Sequence, residues 1–160
     1  MKNSMIRYCY LLIISSVCSL FVGCGHSDTG PETFPVTGVV HINGKPAERV
    51  AVLFHHADSA MPSSYRYPTG VTNAEGVFHL SSMGDRDGAV TGKYAVTFTW
   101  LSSGELDAFD MLNGAFSNPE GSSFLVQVPL TDPTSLTLEL TVPEEKIRQT
   151  RPGRRPDTQN

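Results

Sequence analysis

Apolar side chains at alternate positions are the feature that most constrains how this chain folds. The clearest case is residues 93–101, where Tyr94, Val96 and Phe98 fall on one face of an extended segment. Successive side chains of a β-strand point to opposite faces, so this spacing is typical of a half-buried strand. Only residues 105–113 show a spacing that would allow a helical turn or two, and the chain is therefore predicted to be all-β.

The same alternation recurs in seven segments that turn-forming residues separate. These segments are residues 36–42, 50–56, 68–73, 77–80, 93–101, 124–130 and 136–142. The sequence has no helices that could cover a parallel sheet. The seven strands therefore predict two antiparallel sheets packed face to face, in an immunoglobulin-like β-sandwich over residues 36–142.

The N-terminus carries an export pattern. Lys2 and Arg7 form a short positive region, and the uncharged stretch at residues 8–27 ends at Asp28. Positive residues followed by a short apolar stretch are typical of a secretory signal peptide, here residues 1–23. An uncharged run of this length is also compatible with a transmembrane helix, although the glycines at its end dilute it.

Phe21-Val22-Gly23-Cys24 resembles a bacterial lipobox. The resemblance implies cleavage between Gly23 and Cys24 and attachment of acyl chains, such as palmitate, at the Cys24 thiol, which would anchor the protein to a membrane. The alternatives are an uncleaved anchor helix and an ordinary signal peptide with a chance cysteine, and both still export the domain. Cys9 and Cys18 lie in the same segment, so the folded part is predicted to have no disulfide.

The segments that flank the predicted sandwich are polar. Residues 24–35 are interpreted as the lipidated cysteine and a flexible tether, and residues 143–160 as a disordered basic tail. The chain as a whole has 12 basic and 16 acidic side chains, a net charge of −4, and so has no basic footprint for nucleic acid.

An ordered set of motifs resembles the carboxypeptidase regulatory-like domain, a prealbumin (transthyretin)-like β-sandwich, as found in small bacterial lipoproteins. The motifs are Val36-Thr-Gly-Val-Val, Asn43-Gly-Lys-Pro46, Gly70-Val-Thr-Asn-Ala-Glu-Gly-Val-Phe78 and Gly92-Lys-Tyr-Ala-Val-Thr97. The resemblance implies a non-catalytic structural or binding role at the cell envelope, on the periplasmic side or the cell exterior, with an envelope protein or a glycan as partner.

Several residues in these motifs have a direct physical reading. Gly38 allows a close approach of neighbouring backbone, and Gly44 and Gly76 supply the positive φ of tight turns. Tyr94 is expected to hydrogen-bond a turn, as in the tyrosine corner of sandwich domains.

The histidines provide the main catalytic alternative. His41, His55 and His79 would meet on one sheet face if their strands pair, which would create a weak metal site for a metal-dependent or transthyretin-like hydrolase. Rim histidines without a metal are the favoured interpretation. The Tyr-Arg-Gly-Ser ending of the transthyretin-like hydrolases is replaced here by Leu140-Thr-Val-Pro-Glu144, so no catalytic residue and no cofactor is predicted.

Four aromatic residues lie in predicted loops, namely Tyr65, Tyr67, Phe109 and Phe116. They are expected either to cover an end of the sandwich or to form a contact surface for a glycan or a protein. A carbohydrate-binding module built on Tyr65 and Tyr67 is one form of the second alternative.

Acidic residues cluster in two loops. Asp85-Arg86-Asp87-Gly88 resembles the start of a calcium loop but lacks the downstream Glu, so a solvated turn is the favoured interpretation. Glu105, Asp107 and Asp110, in the insertion at residues 102–122, are interpreted as solubilising charge.

Overall fold

The computed structural model describes residues 30–132 and 136–150, and this part of the chain is nearly all β. Its elements in chain order are β1 (Thr33–Phe34), β2 (Thr37–Ile42), β3 (Lys45–Pro46), β4 (Val50–His56), the short helix α1 (Ser63–Arg66), β5 (Thr69–Val71), β6 (Val77–His79), β7 (Ala89–Val90), β8 (Gly92–Trp100), β9 (Leu125–Val128), β10 (Leu136–Leu140) and a 3₁₀ turn (Glu144–Lys146). Each of the seven predicted segments overlaps one of these strands. The described residues hold ten strands, however, because the structure has three further strands of two residues each, β1, β3 and β7.

The first of two four-stranded sheets has β2 at its centre. Strands β3 and β6 pair with one side of β2 in the antiparallel sense, and β10 pairs with the other side in the parallel sense. The prediction of purely antiparallel sheets is therefore wrong at this pair. A parallel pair needs a long crossover connection, and here the connection is the rest of the domain, since β2 and β10 lie near opposite ends of the described chain.

The second four-stranded sheet has the strand order β5-β4-β8-β9 and is antiparallel throughout. Its longest ladder joins β4 to β8 and runs from the pair Val50–Trp100 to the pair His56–Tyr94. Val50, Val52 and Phe54 point to the buried face of β4, and Tyr94, Val96 and Phe98 do so on β8. This is the face that the two-residue spacing predicts.

The buried faces of the two four-stranded sheets contribute to one hydrophobic core. The Phe54 ring of the second sheet lies 6.5 Å from the Phe78 ring of the first and 5.6 Å from the Tyr94 ring. Each large apolar side chain that is fully buried in this way stabilises the fold by roughly 1.5–3 kcal/mol.

Three predictions about individual residues are confirmed. A Cβ atom at Gly38 would lie 2.7 Å from the Phe78 ring and 2.9 Å from the Leu136 carbonyl oxygen, so the backbone approaches closely there. Gly44 and Gly76 both have a φ of 75°. The predicted hydrogen bond of Tyr94 runs from its phenol to the Val90 carbonyl oxygen.

The ordered structure extends further at both ends than the sequence indicates. The tether predicted at residues 24–35 contains β1, which pairs with β7 and places Phe34 against the core. The tail predicted from residue 143 begins with the 3₁₀ turn, after which Ile147 packs on the core and the Arg148 amide donates to the Met111 carbonyl. The signal peptide predicted at residues 1–23, the lipidation predicted at Cys24 and residues 151–160 lie outside the described residues.

The insertion at residues 102–122 contains hydrogen-bonded turns and no helix, so residues 105–113, where a helical turn or two was predicted, form turns that do not continue into a helix. In the described part of the chain, no helix has the length and apolar character needed to cross a membrane.

Candidate functional site

One face of the second four-stranded sheet points away from the core, and we call it the outer face. It is formed by the residues that alternate with the core-facing ones, namely Ala51, Leu53, His55, Thr69, Val71, Lys93, Ala95, Thr97, Thr99, Leu125 and Gln127. Several of these side chains are small or apolar, which is unusual for a solvated sheet face. Leu125 is 76% exposed and Val71 is 57% exposed.

A groove of about 470 Å³ lies on the outer face, along β8. Ala95 is paired with His55 of β4 on one side and with Leu125 of β9 on the other. A small side chain on the middle strand between larger ones on its neighbours leaves a depression. Since adjacent strands are about 4.8 Å apart, its two walls stand about 10 Å apart.

The second row of groove residues is more polar. Lys93 is paired with Gln127, and Ala57 lies beside Lys93 because its amide donates to the Lys93 carbonyl oxygen. The Gln127 amide nitrogen donates to the Val128 carbonyl oxygen at 3.0 Å. Lys93 is exposed and, within residues 30–132 and 136–150, has no carboxylate at ion-pair distance.

His55 forms part of the groove wall and is held in place by two neighbours. Its Nε2 atom lies 2.8 Å from the Thr97 hydroxyl oxygen, and the Tyr67 ring contacts it edge-on at a centroid distance of 5.7 Å. Burial lowers the pKa of His55, because desolvation disfavours the charged imidazolium. His55 is therefore neutral at pH 7 and contributes an uncharged aromatic ring to the groove.

The three histidines of the metal-site hypothesis do not come together. His55 belongs to the second sheet, whereas His41 and His79 belong to the first. His41 Nδ1 lies 3.6 Å from a Glu139 carboxylate oxygen. His79 Nδ1 lies 2.9 Å from the hydroxyl oxygen of Thr37, which precedes His41 by four positions in β2. The hypothesis that they share one sheet face is wrong, because β4 pairs with β5 and β8 and not with β2. In the described ranges no three potential metal ligands cluster.

The four aromatic loop residues also separate. Tyr67 is 43% exposed and contacts His55 of the groove wall, and Tyr65 is half-buried in α1. The Arg66 guanidinium lies 5.5 Å from the centre of the Tyr67 ring and occupies one face of it. Stacking of a sugar on that face would require Arg66 to move.

The other two aromatic residues lie in the insertion, away from Tyr67. Phe116 packs edge-on against Phe98, and its ring is 6.4 Å from that of Phe124. Phe109 is half-buried, and its carbonyl oxygen accepts a hydrogen bond from the Ser102 amide. Phe116 therefore covers the core, as the packing interpretation predicts. It also lines a smaller cavity of about 280 Å³, and none of the described residues that line this cavity is charged.

The acidic loops are more structured than predicted. The Asp87 carboxylate accepts hydrogen bonds from the amides of Ser82, Met83 and Gly84. Partial burial acts to raise the pKa of Asp87, but these bonds together outweigh it and lower the pKa. The Asp110 carboxylate likewise accepts from the amides of Trp100, Leu112 and Gly114. Asp110 is therefore a structural residue, and interpreting it as solubilising charge was wrong.

The groove residues that sequence reasoning missed are Ala57, Lys93, Ala95, Leu125 and Gln127. The sequence pattern marks one of them as unusual. Leu125 is apolar at a position where the alternation of Phe124, Val126 and Val128 requires a solvent-facing residue. The others are ordinary outward residues, whose grouping depends on which strands are neighbours.

No family model matches this sequence, and no curated protein matches it. Among solved structures the chain is similar to a 9R-lipoxygenase from Cyanothece PCC8801, with 16% sequence identity and a TM-score of 0.37. The similarity covers 89% of this chain and 21% of that one, so this chain spans about a fifth of its length. A similarity at this TM-score indicates neither the fold nor the function of this protein.

Proposed function

We propose that this protein is an exported, lipid-anchored β-sandwich with a non-catalytic binding role at the cell envelope, and that the groove on the outer face is its binding site. The observation that carries the proposal is the groove of about 470 Å³ between His55 and Leu125, in which Leu125 is 76% exposed beside the Ala95 floor. A ligand bound in the groove would remove the exposed apolar surface of Leu125 from water, which is favourable.

The volume of the groove supports a binding role. About 470 Å³ is within the range of small-molecule sites, which are mostly apolar with a few polar groups that orient the ligand. Leu125 and Ala95 supply the apolar surface, and Lys93 and Gln127 supply the polar groups.

The proposed family, the carboxypeptidase regulatory-like domain, is supported by two features of the fold. Two four-stranded sheets share one core, and the buried Tyr94 phenol bonds to Val90, at the end of the strand before its own. The hydrolase alternative depended on a common site for His41, His55 and His79 and loses its basis when they lie on two sheets. The carbohydrate alternative is less favoured because Arg66 covers one face of the Tyr67 ring.

Site-specific photocrosslinking in the cells that make the protein tests the binding site. A photoreactive phenylalanine analogue replaces Leu125 in the full chain, and in a matched control it replaces Leu106, which is fully exposed in the insertion. We expect a discrete adduct from position 125 and none from position 106. The proposal is contradicted if both positions give the same adducts, or if position 125 gives none.

The anchor is tested separately by metabolic labelling with a clickable fatty acid. The lipobox resemblance predicts that the native chain is labelled and that Cys24→Ala is not. Equal labelling of the two proteins would contradict lipidation at Cys24, whatever the result at the groove.

A further inference from the structure

We propose that the groove binds a small carboxylate whose apolar body is about the size of one ring. This inference rests on the proposed function, since it names the class of ligand for the same groove.

The dimensions of the groove limit the apolar body of the ligand. Along the strands, the lining spans two rows, from Ala95 to Lys93 on β8, which corresponds to about 7 Å. Across the strands, the His55 and Leu125 walls are about 10 Å apart. An aromatic ring or a short acyl chain fits this space, whereas a long acyl chain would extend beyond it.

The walls match an apolar body. Leu125 presents its side chain to solvent from one side, and the neutral His55 ring faces it across Ala95. An aromatic ring between them would cover the exposed part of Leu125 and would contact an imidazole that carries no charge. The burial of this apolar surface supplies the favourable free energy of binding.

The charge at the groove selects an anion. Lys93 is the one charged side chain among the described residues that line it, and no acidic residue lines it, although the whole chain has a net charge of −4. His55 Nε2 and one N–H of the Gln127 amide are already engaged, with Thr97 and with the Val128 carbonyl. The Lys93 ammonium group and the second N–H of the Gln127 amide therefore remain as donors for a ligand, and a carboxylate can accept from both of them.

Methyl NMR of the full chain in lipid nanodiscs tests this inference. The alanine methyl groups are labelled with ¹³C, so that Ala57 and Ala95 report from the groove and Ala47 and Ala74 report from elsewhere. The probe is 3-phenylpropanoate, and the matched neutral compound is 3-phenylpropanamide. We expect saturable shifts at Ala57 and Ala95 with the carboxylate, and about tenfold weaker binding of the amide.

Two variants test whether the Lys93 ammonium group binds the carboxylate. Lys93→Gln removes the cation at the groove and is expected to weaken carboxylate binding by about tenfold, to the level of the amide. Lys45→Gln removes an exposed lysine of β3 in the other sheet and is expected to leave binding unchanged.

The inference is overturned if 3-phenylpropanoate shifts no groove methyl group, if the amide binds equally well, or if Lys93→Gln binds as the wild type does. These results are distinct from a failure of the proposed function. A groove that rejects the carboxylate but still gives the adduct from position 125 has a different ligand, whereas a groove that gives neither is not a binding site.

Discussion

The phenol oxygen of Tyr94 donates a hydrogen bond of 2.9 Å to the carbonyl oxygen of Val90, four residues earlier in the chain. Tyr94 is almost completely buried, and desolvation raises its pKa to about 12. The bond ties the end of β7 to β8, one of the two inner strands of the second sheet, whose other end borders the insertion. One side chain therefore fixes the start of the strand that forms the floor of the groove.

Replacing Tyr94 with phenylalanine should destabilise the fold while preserving its shape. The ring stays packed on Phe54, but the hydrogen bond to Val90 is lost, at a cost of about 1 kcal/mol. Urea denaturation followed by intrinsic fluorescence measures the change. Tyr67→Phe, which removes an exposed phenol, is the matched control and should change the free energy of unfolding by less than about 0.5 kcal/mol. Equal effects of the two substitutions would contradict the role assigned to the Tyr94 hydroxyl.

Gly38→Ala should be strongly destabilising, because the new methyl group would lie 2.7 Å from the Phe78 ring and 2.9 Å from the Leu136 carbonyl oxygen. Overpacking of this kind costs about 1–3 kcal/mol, and here a backbone atom of β10 also has to move. Thermal unfolding measures the effect. Gly104→Ala adds the same methyl group where no atom lies within 4 Å, and it should be close to neutral. A Gly38→Ala variant as stable as Gly104→Ala would argue against the close pairing of β2 and β10.

Asp110→Ala should loosen the insertion, since the carboxylate accepts amide hydrogen bonds at 3.0 Å from Trp100, 2.9 Å from Leu112 and 2.7 Å from Gly114. We expect a loss of about 1–3 kcal/mol and faster hydrogen exchange at the Leu112 and Gly114 amides. Glu105→Ala, at an exposed position in the same insertion, is the control. Unchanged exchange at both amides in the Asp110 variant would contradict this structural role.

The stability of the protein should fall as the pH is lowered through the titration range of His55. Burial gives His55 a pKa below its unfolded value of about 6.5, so the unfolded state binds more protons in this range. The contribution of the neutral imidazole is present above pH 6.5 and is lost as the pH falls from there towards the folded pKa. His55→Gln should flatten the decrease in unfolding free energy between about pH 7 and 5, with His79→Gln as the substitution control. The same slope in wild type and His55→Gln would contradict the burial of this imidazole.

The alternation of apolar residues located the strands because one face of each strand is buried in the core, so every second residue has to be apolar. Tyr94, Val96 and Phe98 are buried, and residues two positions apart lie on the same face of a strand but not of a helix. The pattern contains nothing about which strand lies beside which. Parallel pairing of β2 with β10 joins residues almost a hundred positions apart, and the antiparallel prediction failed there.

The candidate site could be predicted only in part for the same reason. Leu125 interrupts the alternation and could have been read as an exposed apolar residue. The groove exists only because Ala95 lies between His55 and Leu125, and this arrangement depends on the pairing of β8 with β4 and β9. The role of Asp110 was equally hidden, since a carboxylate that caps three amides and one that faces solvent look alike in a sequence.

The most direct test of the groove as the binding site is to fill it and repeat the crosslinking from position 125. Ala95→Leu places a large side chain on the groove floor, and Ala51→Leu makes the same change on the outer face outside the groove. Both variants should keep the wild-type free energy of unfolding. We predict that Ala95→Leu abolishes the adduct and that Ala51→Leu retains it. An adduct that persists undiminished in the folded Ala95→Leu variant would contradict the account.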